Sequence, residues 1–399
     1  MAFQTGVFNI TQNPTELNAR SFAGTILRRF PNGSAPLFAL TSKVGRSRAK
    51  STTHGYFSKT MSFVRLVSAA ALVGATTIDV GSTAGLTQYM VLHNIRTREN
   101  VRIESITDAT DIVVTRGFGR TAAAAVNLND VWIQAGTAFP EGSNRPTARR
   151  MTLVYIGNYT QIFRNAWALT DTARASMSEQ GYENVAESRQ DCMAMHSTDI
   201  ESGLIFSQKK MDTTGTQPVH TTQGILDAVA EYAPTHVVPM AATTDYAELR
   251  AAIEMALESS TNVGDPNSRL LVGDAQAIRV ISDIGRKSGE VQIMQNQTSF
   301  GMRYTSFQTQ RGNFDLLDHP LLNGLGLTGM AMVLDMPAIK LAYLDGRDTK
   351  PEEYGTNGKI LENGVDAVGG SLTTEFAAEI LNPYGCAVLT GLTEGVAEA

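Results

Sequence analysis

The chain has 399 residues, of which 42% are hydrophobic and 18% are charged, and its net charge is −6. This length allows two or three domains and a sizeable core, and the composition is ordinary for a soluble globular protein. Cys192 and Cys386 are too few for a disulfide framework, which favours a reducing compartment. The N-terminus does not follow the pattern of a signal peptide, and no apolar run approaches the roughly 20 residues of a membrane span.

The N-terminal segment has a charge opposite to that of the rest of the chain. Residues 1–65 contain nine Lys or Arg and one acid, Glu16, so they carry +8. A basic arm and an acidic remainder favour electrostatic contacts between identical copies of the chain. A solvated basic segment, or a weak nucleic-acid contact through residues 43–50, remains open as an alternative.

Residues 1–50 are predicted to form an arm that contains one helix. Asn13 is a good N-cap and Pro14 fits the first helical turn. Pro31 ends the helix, and residues 34–40 are predicted to be extended. The apolar face of this helix consists of Phe22, Ile26 and Phe30.

Short strands without helical periodicity recur between residues 66 and 138. Val101 and Ile103 alternate with polar neighbours, as in a half-buried strand. We predict a small β-sandwich or barrel here, inserted between residues 56–65 and 152–163. Its strands are expected at residues 77–80, 90–92, 100–104, 111–114 and 131–133.

Residues 178–210 form the longest predicted helix. Gly203 is a flaw in it that costs about 1 kcal/mol relative to Ala. The predicted apolar stripe is Val185, Met193, His196, Ile200 and Leu204, which makes His196 a packed residue rather than a ligand. The predicted solvent face carries Glu183, Glu187, Asp191, Asp199 and Glu201.

Residues 222–330 alternate helix and strand without a regular βαβ rhythm, which predicts an α+β unit. Its amphipathic helix over residues 244–257 has Thr244 or Asp245 as its cap. Strands are expected at residues 270–273, 301–305, 314–317 and 331–335, with a short helix over residues 275–284. Residues 339–344 lack a helical pattern. The tail, residues 372–392, is predicted to form two strands joined at Asn382-Pro383.

The residues that carry chemistry are scattered. Six histidines include no pair at the spacing of a helical zinc site, and the two cysteines are not clustered. Phosphate-binding loops are missing as well. We therefore predict no catalytic, metal-binding or cofactor-binding residues, no cofactor, and no enzymatic activity.

The order of these elements resembles the HK97-like major capsid protein fold, which consists of an N-arm, an E-loop, a peripheral domain with a long spine helix, and an axial domain. Within this class the chain resembles the SU10-type major head protein family of tailed phages, in residues 157–163, 300–307, 332–342 and 372–392. The resemblance implies an α+β capsid fold with an inserted small all-β domain. It implies an arm at 1–50, an E-loop region at 51–151 with the insert at 66–138, a peripheral domain at 152–221 with the spine helix at 178–210, an axial domain at 222–330, and returning strands at 331–399.

The resemblance implies a major capsid protein that self-assembles into an icosahedral or prolate head shell around the phage genome. Its partners would be many copies of itself in hexamers and pentamers, with scaffold, portal or decoration proteins and a weak contact to packaged double-stranded DNA. It would belong to the virion, be assembled in the host cytoplasm, and contact no membrane. Inter-subunit contacts are predicted at Phe22, Ile26, Arg28, Arg29, Phe30, Arg46 and Arg48.

Two other functions are compatible with the residues. A β-rich virion or cell-surface adhesion protein would use residues 66–138 to recognise a host glycan and would form a small oligomer. A hydrolase built on residues 222–330 would need a clustered acid–base or metal set, which the sequence does not display.

Overall fold

The computed structural model describes residues 35–59, 63–146, 148, 150–151, 153–176, 185–241, 244–259, 261, 263, 266–288, 293–299, 302–355 and 366–392. The chain divides into two compact units. Unit 1 consists of Met1–Tyr56 and Gly157–Ala399, and unit 2 consists of Phe57–Ile156. The helix predicted near residues 13–30 lies outside the described residues, as do its side chains Phe22, Ile26, Arg28, Arg29 and Phe30.

Seven α-helices and 22 strands occur among the described residues. The helices are α1 (Pro36–Val44), α2 (Asp171–Ala175), α3 (Val185–Phe206), α4 (Ile225–Tyr232), α5 (Tyr246–Glu254), α6 (Ala275–Ser288) and α7 (Pro320–Gly324). The first strands are β1 (Arg46–Ala49), β2 (Thr53–Lys59), β3 (Arg65–Ser68), β4 (Thr77–Asp79), β5 (Met90–Asn94), β6 (Asn100–Ile106), β7 (Asp111–Thr115), β8 (Asp130–Thr137), β9 (Leu153–Tyr159), β10 (Gln161–Thr170) and β11 (Lys210–Asp212). The remaining strands are β12 (Val219–Thr221), β13 (Val237–Pro239), β14 (Ser268–Gly273), β15 (Ile293–Ser299), β16 (Met302–Gln308), β17 (Asn313–Asp318), β18 (Ala331–Leu334), β19 (Ile339–Leu344), β20 (Lys350–Tyr354), β21 (Ala367–Ile380) and β22 (Ala387–Thr390).

One sheet of unit 1 is built on the long strand β21. Its order is β1-β19-β21-β10, and β20 also pairs with β21. The pair β1–β19 is parallel, whereas β19, β20 and β10 all run antiparallel to β21. Helices α1, α3 and α4 contribute to the core against this sheet, in which the rings of Phe163 and Phe376 stack with centroids 5.0 Å apart. Burial of this apolar surface is the main force that holds the helices on the sheet.

The second sheet of unit 1 is mixed. Its order is β13-β22-β18-β14-β17-β16-β15, with β13–β22 and β14–β17 parallel and the other pairs antiparallel. Helices α5 and α6 bury Leu249, Ile253 and Ile281 in its core. The α+β prediction is confirmed, and Asp245 is the cap of α5, since its carboxylate accepts from Glu248 N at 2.8 Å.

The two predicted tail strands are confirmed, and they belong to different sheets. Strand β21 lies in the first sheet and β22 in the second, with a short turn at Pro383–Gly385 between them. The tail therefore ties the two sheets of unit 1 together by a covalent connection of six residues, Leu381 to Cys386.

Unit 2 contains a six-stranded antiparallel sheet of order β3-β8-β5-β6-β7-β4. Ala69 N donates to Asp79 O at 2.9 Å, so the two ends of the sheet approach each other around a core that includes Trp132. Glu99 is buried and pairs with Arg116, with Nε–Oε1 at 2.8 Å. The five strands predicted between residues 77 and 133 are confirmed. Strand β2 pairs with β9, and the division between the units falls within both strands.

The structure corrects the prediction for residues 34–40. They were expected to be extended, but α1 begins at Pro36. Proline is tolerated in the first helical turn because its missing N–H would have no intrahelical acceptor there. Leu37 is fully buried, and tertiary burial of this side chain stabilises the helix.

The predicted faces of the long helix are partly wrong. Met193 was assigned to the apolar stripe but is 56% exposed, and Glu201 was assigned to solvent but is fully buried. The buried side of α3 consists of Cys192, His196, Ile200, Glu201, Leu204 and Ile205. The buried stripe includes Cys192 in place of the predicted Met193. This shift of one residue around the helix axis places Glu201 on the buried side.

Candidate functional site

The side chain of Glu201, on α3, binds the first turn of α1. This helix is the first described element after residues 1–34. The carboxylate of Glu201 accepts from Leu37 N at 2.8 Å and from Phe38 N at 2.6 Å. The first N–H groups of a helix have no intrahelical acceptor, and the helix dipole makes this end positive. A buried carboxylate satisfies both requirements, so Glu201 acts as an N-terminal cap from a distant part of the chain.

His319 completes this cluster, which we call the arm anchor (Leu37, Phe38, Glu201 and His319). His319 Nε2 lies 2.8 Å from Glu201 Oε1, and both side chains are fully buried. The backbone N–H of His319 donates to Gly273 O at 2.9 Å, which fixes the residue at the end of β17. The anchor therefore links α1, α3 and the second sheet of unit 1.

Arg46 and Arg48 lie on β1, at one edge of the first sheet. Arg46 forms an ion pair with Asp348 of its own chain, and its guanidinium lies 5.2 Å from the ring centroid of Tyr343. Burial raises the pKa of Tyr343 to about 12, against the opposing effect of Arg46, so the phenol stays neutral at physiological pH. Arg48 is exposed two residues further on, on the same side of the strand. The predicted contact of these two arginines with a neighbouring subunit stays a prediction.

Buried polar groups fix the end of β9 and the start of β10. Asn158 Nδ2 donates to Ala378 O at 2.7 Å and to Thr222 Oγ1 at 3.0 Å, and its Oδ1 accepts from Gln223 N at 2.7 Å. Thr160 Oγ1 donates to Glu375 Oε1 at 2.8 Å. Buried polar groups need such partners, and a satisfied network specifies one geometry. The segment 157–163 therefore holds a rigid corner on the first sheet.

Unit 2 exposes apolar side chains on both faces of β9. Phe57 of β2 is 68% exposed and Tyr155 of β9 is 50% exposed, with ring centroids 5.3 Å apart. Leu153 and Val154 are also exposed, and successive residues of a strand point to opposite faces. Large exposed apolar patches usually mark sites of association. We call Phe57, Leu153, Val154 and Tyr155 the exposed strand patch.

Sequence reasoning missed the arm anchor and the exposed strand patch. The run Leu153-Val-Tyr155 is visible in the sequence and has strong β propensity, but its exposure is not. Glu201 shares its helical spacing with solvent-facing acids, so only the position of α1 reveals its role. Among the described residues, no three His, Cys, Asp or Glu side chains are grouped so that they could bind a metal ion. None of the described helices combines the length and the apolarity of a membrane span.

A strand pair ahead of a long helix, followed by two sheets joined by the tail strands, is the order of elements expected for an HK97-like capsid subunit. The sequence profile of the SU10 major capsid protein family matches residues 9–393, and the chain belongs to this family.

Similar proteins include a curated relative and two solved structures. The chain is 50% identical to the "Major capsid protein" of Pseudomonas phage PaMx41, over 98% of this chain and 97% of the relative. A structure from Gordonia phage Cozz is 12% identical, with a TM-score of 0.47, and covers 96% of this chain and 93% of its own. A structure from Mycobacterium phage Bobi is 11% identical, with a TM-score of 0.44. The match covers 96% of this chain and 97% of the phage Bobi chain. The chain is a phage major capsid protein, a virion component that forms the head shell with copies of itself.

Proposed function

We propose that the exposed strand patch is a principal contact between neighbouring copies in the shell. The observation that supports this proposal is the exposure of Phe57 and Tyr155 on strands that lie in a two-stranded sheet. Two strands alone are marginally stable in water and need packing against another surface. A neighbouring subunit would provide that surface, and burial of the two aromatic rings would contribute about 1.5–3 kcal/mol each.

Replacing both aromatic residues, Phe57→Ser and Tyr155→Ser, tests this contact. We expect the purified variant to keep the circular dichroism and melting temperature of the unassembled protein, because both side chains are exposed. We expect negative-stain electron microscopy to show no closed shells. Leu72→Ser, at an exposed apolar position elsewhere in unit 2, is the matched control and should assemble normally. Normal shells from the double variant would refute the proposal.

The basic arm is proposed as a second contact. The charge of +8 over residues 1–65 opposes the acidic remainder, and the exposed position of Arg48 on an edge strand leaves its charge available to a neighbour. Electrostatic complementarity of this kind steers association and fixes orientation. The arm anchor supports this proposal because it places the start of α1 rigidly. The proposed contact residues are Phe22, Ile26, Arg28, Arg29, Phe30, Arg46 and Arg48.

The remaining proposals concern organisation and partners. We propose that residues 51–151 form an E-loop region with an inserted β domain at 66–138, and the compact unit 57–156 supports this assignment. The spine helix was predicted at 178–210, but α3 ends at Phe206 and β11 begins at Lys210. We propose that α3 is the spine helix, with a peripheral domain at 152–221, an axial domain at 222–330 and returning strands at 331–399. Assembly of hexamers and pentamers in the host cytoplasm, with weak contact to packaged double-stranded DNA and with scaffold, portal or decoration proteins, completes this proposal.

We infer that the protein acts by assembly and not by catalysis. Three of its histidines form structural hydrogen bonds, which supports this inference. His196 lies between Asn165 and Thr374, His319 contacts Glu201, and His236 Nδ1 lies 2.9 Å from Cys386 O. His196 and His319 are also buried, so a substrate cannot reach their rings for proton transfer.

A further inference from the structure

Unit 2 contains a surface cavity that neither the head-shell role nor the proposed contacts use. Its volume is about 620 Å³, within the range of roughly 300–1,000 Å³ typical of ligand sites. Three parts of the chain line it: residues 86–89 before β5, Ile106 at the end of β6, and residues 139–146 after β8. These three strands, β5, β6 and β8, all belong to the six-stranded sheet.

Tyr89 lies in this cavity with a strained backbone. Its φ is +65°, a left-handed conformation that bulky residues rarely adopt. Tyr89 N donates to Ile103 O at 2.7 Å, and Ala138 N donates to Tyr89 O at 2.8 Å, so both sides of the residue are tied to the sheet. Such strain costs about 1–3 kcal/mol and clusters at binding sites. Glycine would adopt this φ without strain, so the tyrosine ring itself points to a role for the side chain.

The ring of Tyr89 belongs to a fixed aromatic group. Its centroid lies 5.4 Å from that of Phe139, with the rings near perpendicular. The guanidinium of Arg102 lies 5.5 Å from the Tyr89 centroid and is itself held by Glu104, with Nε–Oε1 at 2.8 Å. Phe139 is 38% exposed, so it offers an accessible apolar ring surface beside the tyrosine.

The other side chains of the cavity define the chemistry of its ligand. Gln88 and Asn144 each provide an amide donor and an acceptor, and Ser143 provides a hydroxyl. Glu141 and Arg145 carry opposite charges, so the lining has no net charge. A neutral ligand with hydroxyl groups and a weakly polar C–H face fits this lining. Its hydroxyl groups match the amides and the hydroxyl of the cavity, and its C–H face matches the aromatic rings.

We propose that this cavity binds a neutral oligosaccharide. The sugar ring packs its C–H face on Phe139 beside Tyr89, and its hydroxyl groups exchange hydrogen bonds with Gln88 and Asn144. A single site of this kind is weak, but a shell carries many copies of it, and multivalency raises the strength of attachment to a glycan-coated surface by orders of magnitude. This function goes beyond formation of the shell.

A printed array of neutral and charged bacterial oligosaccharides, probed with fluorescently labelled full-length protein, tests the proposal. We expect the protein to be retained on a subset of neutral oligosaccharides. We expect Tyr89→Gly and Phe139→Ala to reduce this retention about tenfold, the scale of a lost aromatic contact. Tyr89→Gly loses the ring contacts with Phe139 and Arg102 but relieves the strained φ, and both variants should still unfold in one cooperative thermal transition, which separates loss of binding from loss of fold.

Asn129→Gly is the matched control. Asn129 has a φ of +67° in the same unit and does not line the cavity, so glycine there tests the same kind of backbone change and should leave glycan retention unchanged. Three results would overturn the proposal: no neutral oligosaccharide retained above the level of the Tyr89→Gly protein, retention of charged oligosaccharides alone, or an equal loss with Asn129→Gly. Failure of this site would leave shell formation intact, which distinguishes it from failure of the proposed contacts.

Discussion

At the scale of single residues, buried polar side chains determine how the elements of unit 1 meet. Glu201 and His319 lie 118 residues apart, yet they share one hydrogen bond at the start of α1. His319 Nδ1 and Asp335 Oδ1 are the buried side-chain atoms that lack a hydrogen-bond partner among the described residues. Groups of this kind are costly to bury, so each remaining bond in these clusters matters to stability.

Glu201→Ala should destabilise the protein strongly. The substitution leaves Leu37 N, Phe38 N and His319 Nε2 without their acceptor, and each unsatisfied buried donor costs about 1–3 kcal/mol. We expect a loss of at least about 3 kcal/mol in the free energy of unfolding, measured by urea denaturation of the unassembled protein. Asp199→Asn, at an exposed acid on the same helix, should change it by under about 1 kcal/mol. Similar losses in both variants would contradict the capping role.

His196 should make stability depend on pH. Burial lowers the pKa of His196 below its ordinary value of 6.5, and the charge of Asp199 only partly opposes this effect. Below pH 6.5 His196 is protonated in the unfolded chain but stays neutral in the folded protein. The free energy of unfolding therefore falls as the pH is lowered towards the pKa of His196 in the folded protein. This contribution to stability is fully present above pH 6.5.

Urea midpoints at pH 7.5 and pH 5.5 measure this effect. His196→Gln should show a smaller decrease between the two pH values than the natural protein, because the glutamine does not titrate. Glutamine can also hydrogen-bond to Asn165 and Thr374, the present partners of the histidine. An unchanged decrease in the variant would assign the pH dependence to other groups.

At the scale of elements, the close approach of α3 to β10 explains why Gly203 occurs in the helix although glycine weakens it. A Cβ atom at Gly203 would lie 2.6 Å from Cζ of Phe163, the ring that stacks on Phe376. The helix propensity of glycine is poor by about 1 kcal/mol. The absence of a side chain nevertheless allows the helix to rest directly on the aromatic ring, so packing outweighs propensity at this position.

Gly203→Ala should therefore destabilise the protein despite the better helix propensity of alanine. We expect a net loss of about 1–3 kcal/mol, typical of overpacking, seen as a lower melting temperature of the unassembled protein. Gly74→Ala is the control, since a Cβ there meets no atom within 4 Å and the backbone needs no positive φ. A higher melting temperature for Gly203→Ala would show that the Phe163 ring moves aside at little cost.

At the scale of the whole molecule, the charge distribution and the exposed apolar strands both favour association with identical copies. Family membership places the protein in a head shell, where many contacts of moderate strength add up to a stable assembly. Exposed charge pairs contribute under about 1 kcal/mol each and are weakened by salt. Electrostatic contacts between subunits should therefore be visible mainly at low ionic strength.

Arg48→Glu should weaken assembly at low salt. Arg48 is the better choice for this test than Arg46, because Arg46 already pairs with Asp348 of its own chain. Light scattering should show assembly at a higher protein concentration than for the natural protein, and the difference should shrink towards 1 M salt. Arg120→Glu, at an exposed site of unit 2, controls for the change in net charge. Assembly of Arg48→Glu identical to that of the natural protein at low salt would remove Arg48 from the contact.

The sequence by itself determined the α+β class, the strands of unit 2, the long helix and the family, because alternation, helical spacing and turn residues are local signals. Only the tertiary structure decided that residues 36–44 are helical, that Glu201 is buried, and that Gly203 faces Phe163. The reason is distance along the chain: Leu37 N and its acceptor on Glu201 are 164 residues apart. Local periodicity shows that a helix has a buried face, but the groups packed against that face decide where it lies and which polar residue belongs to it.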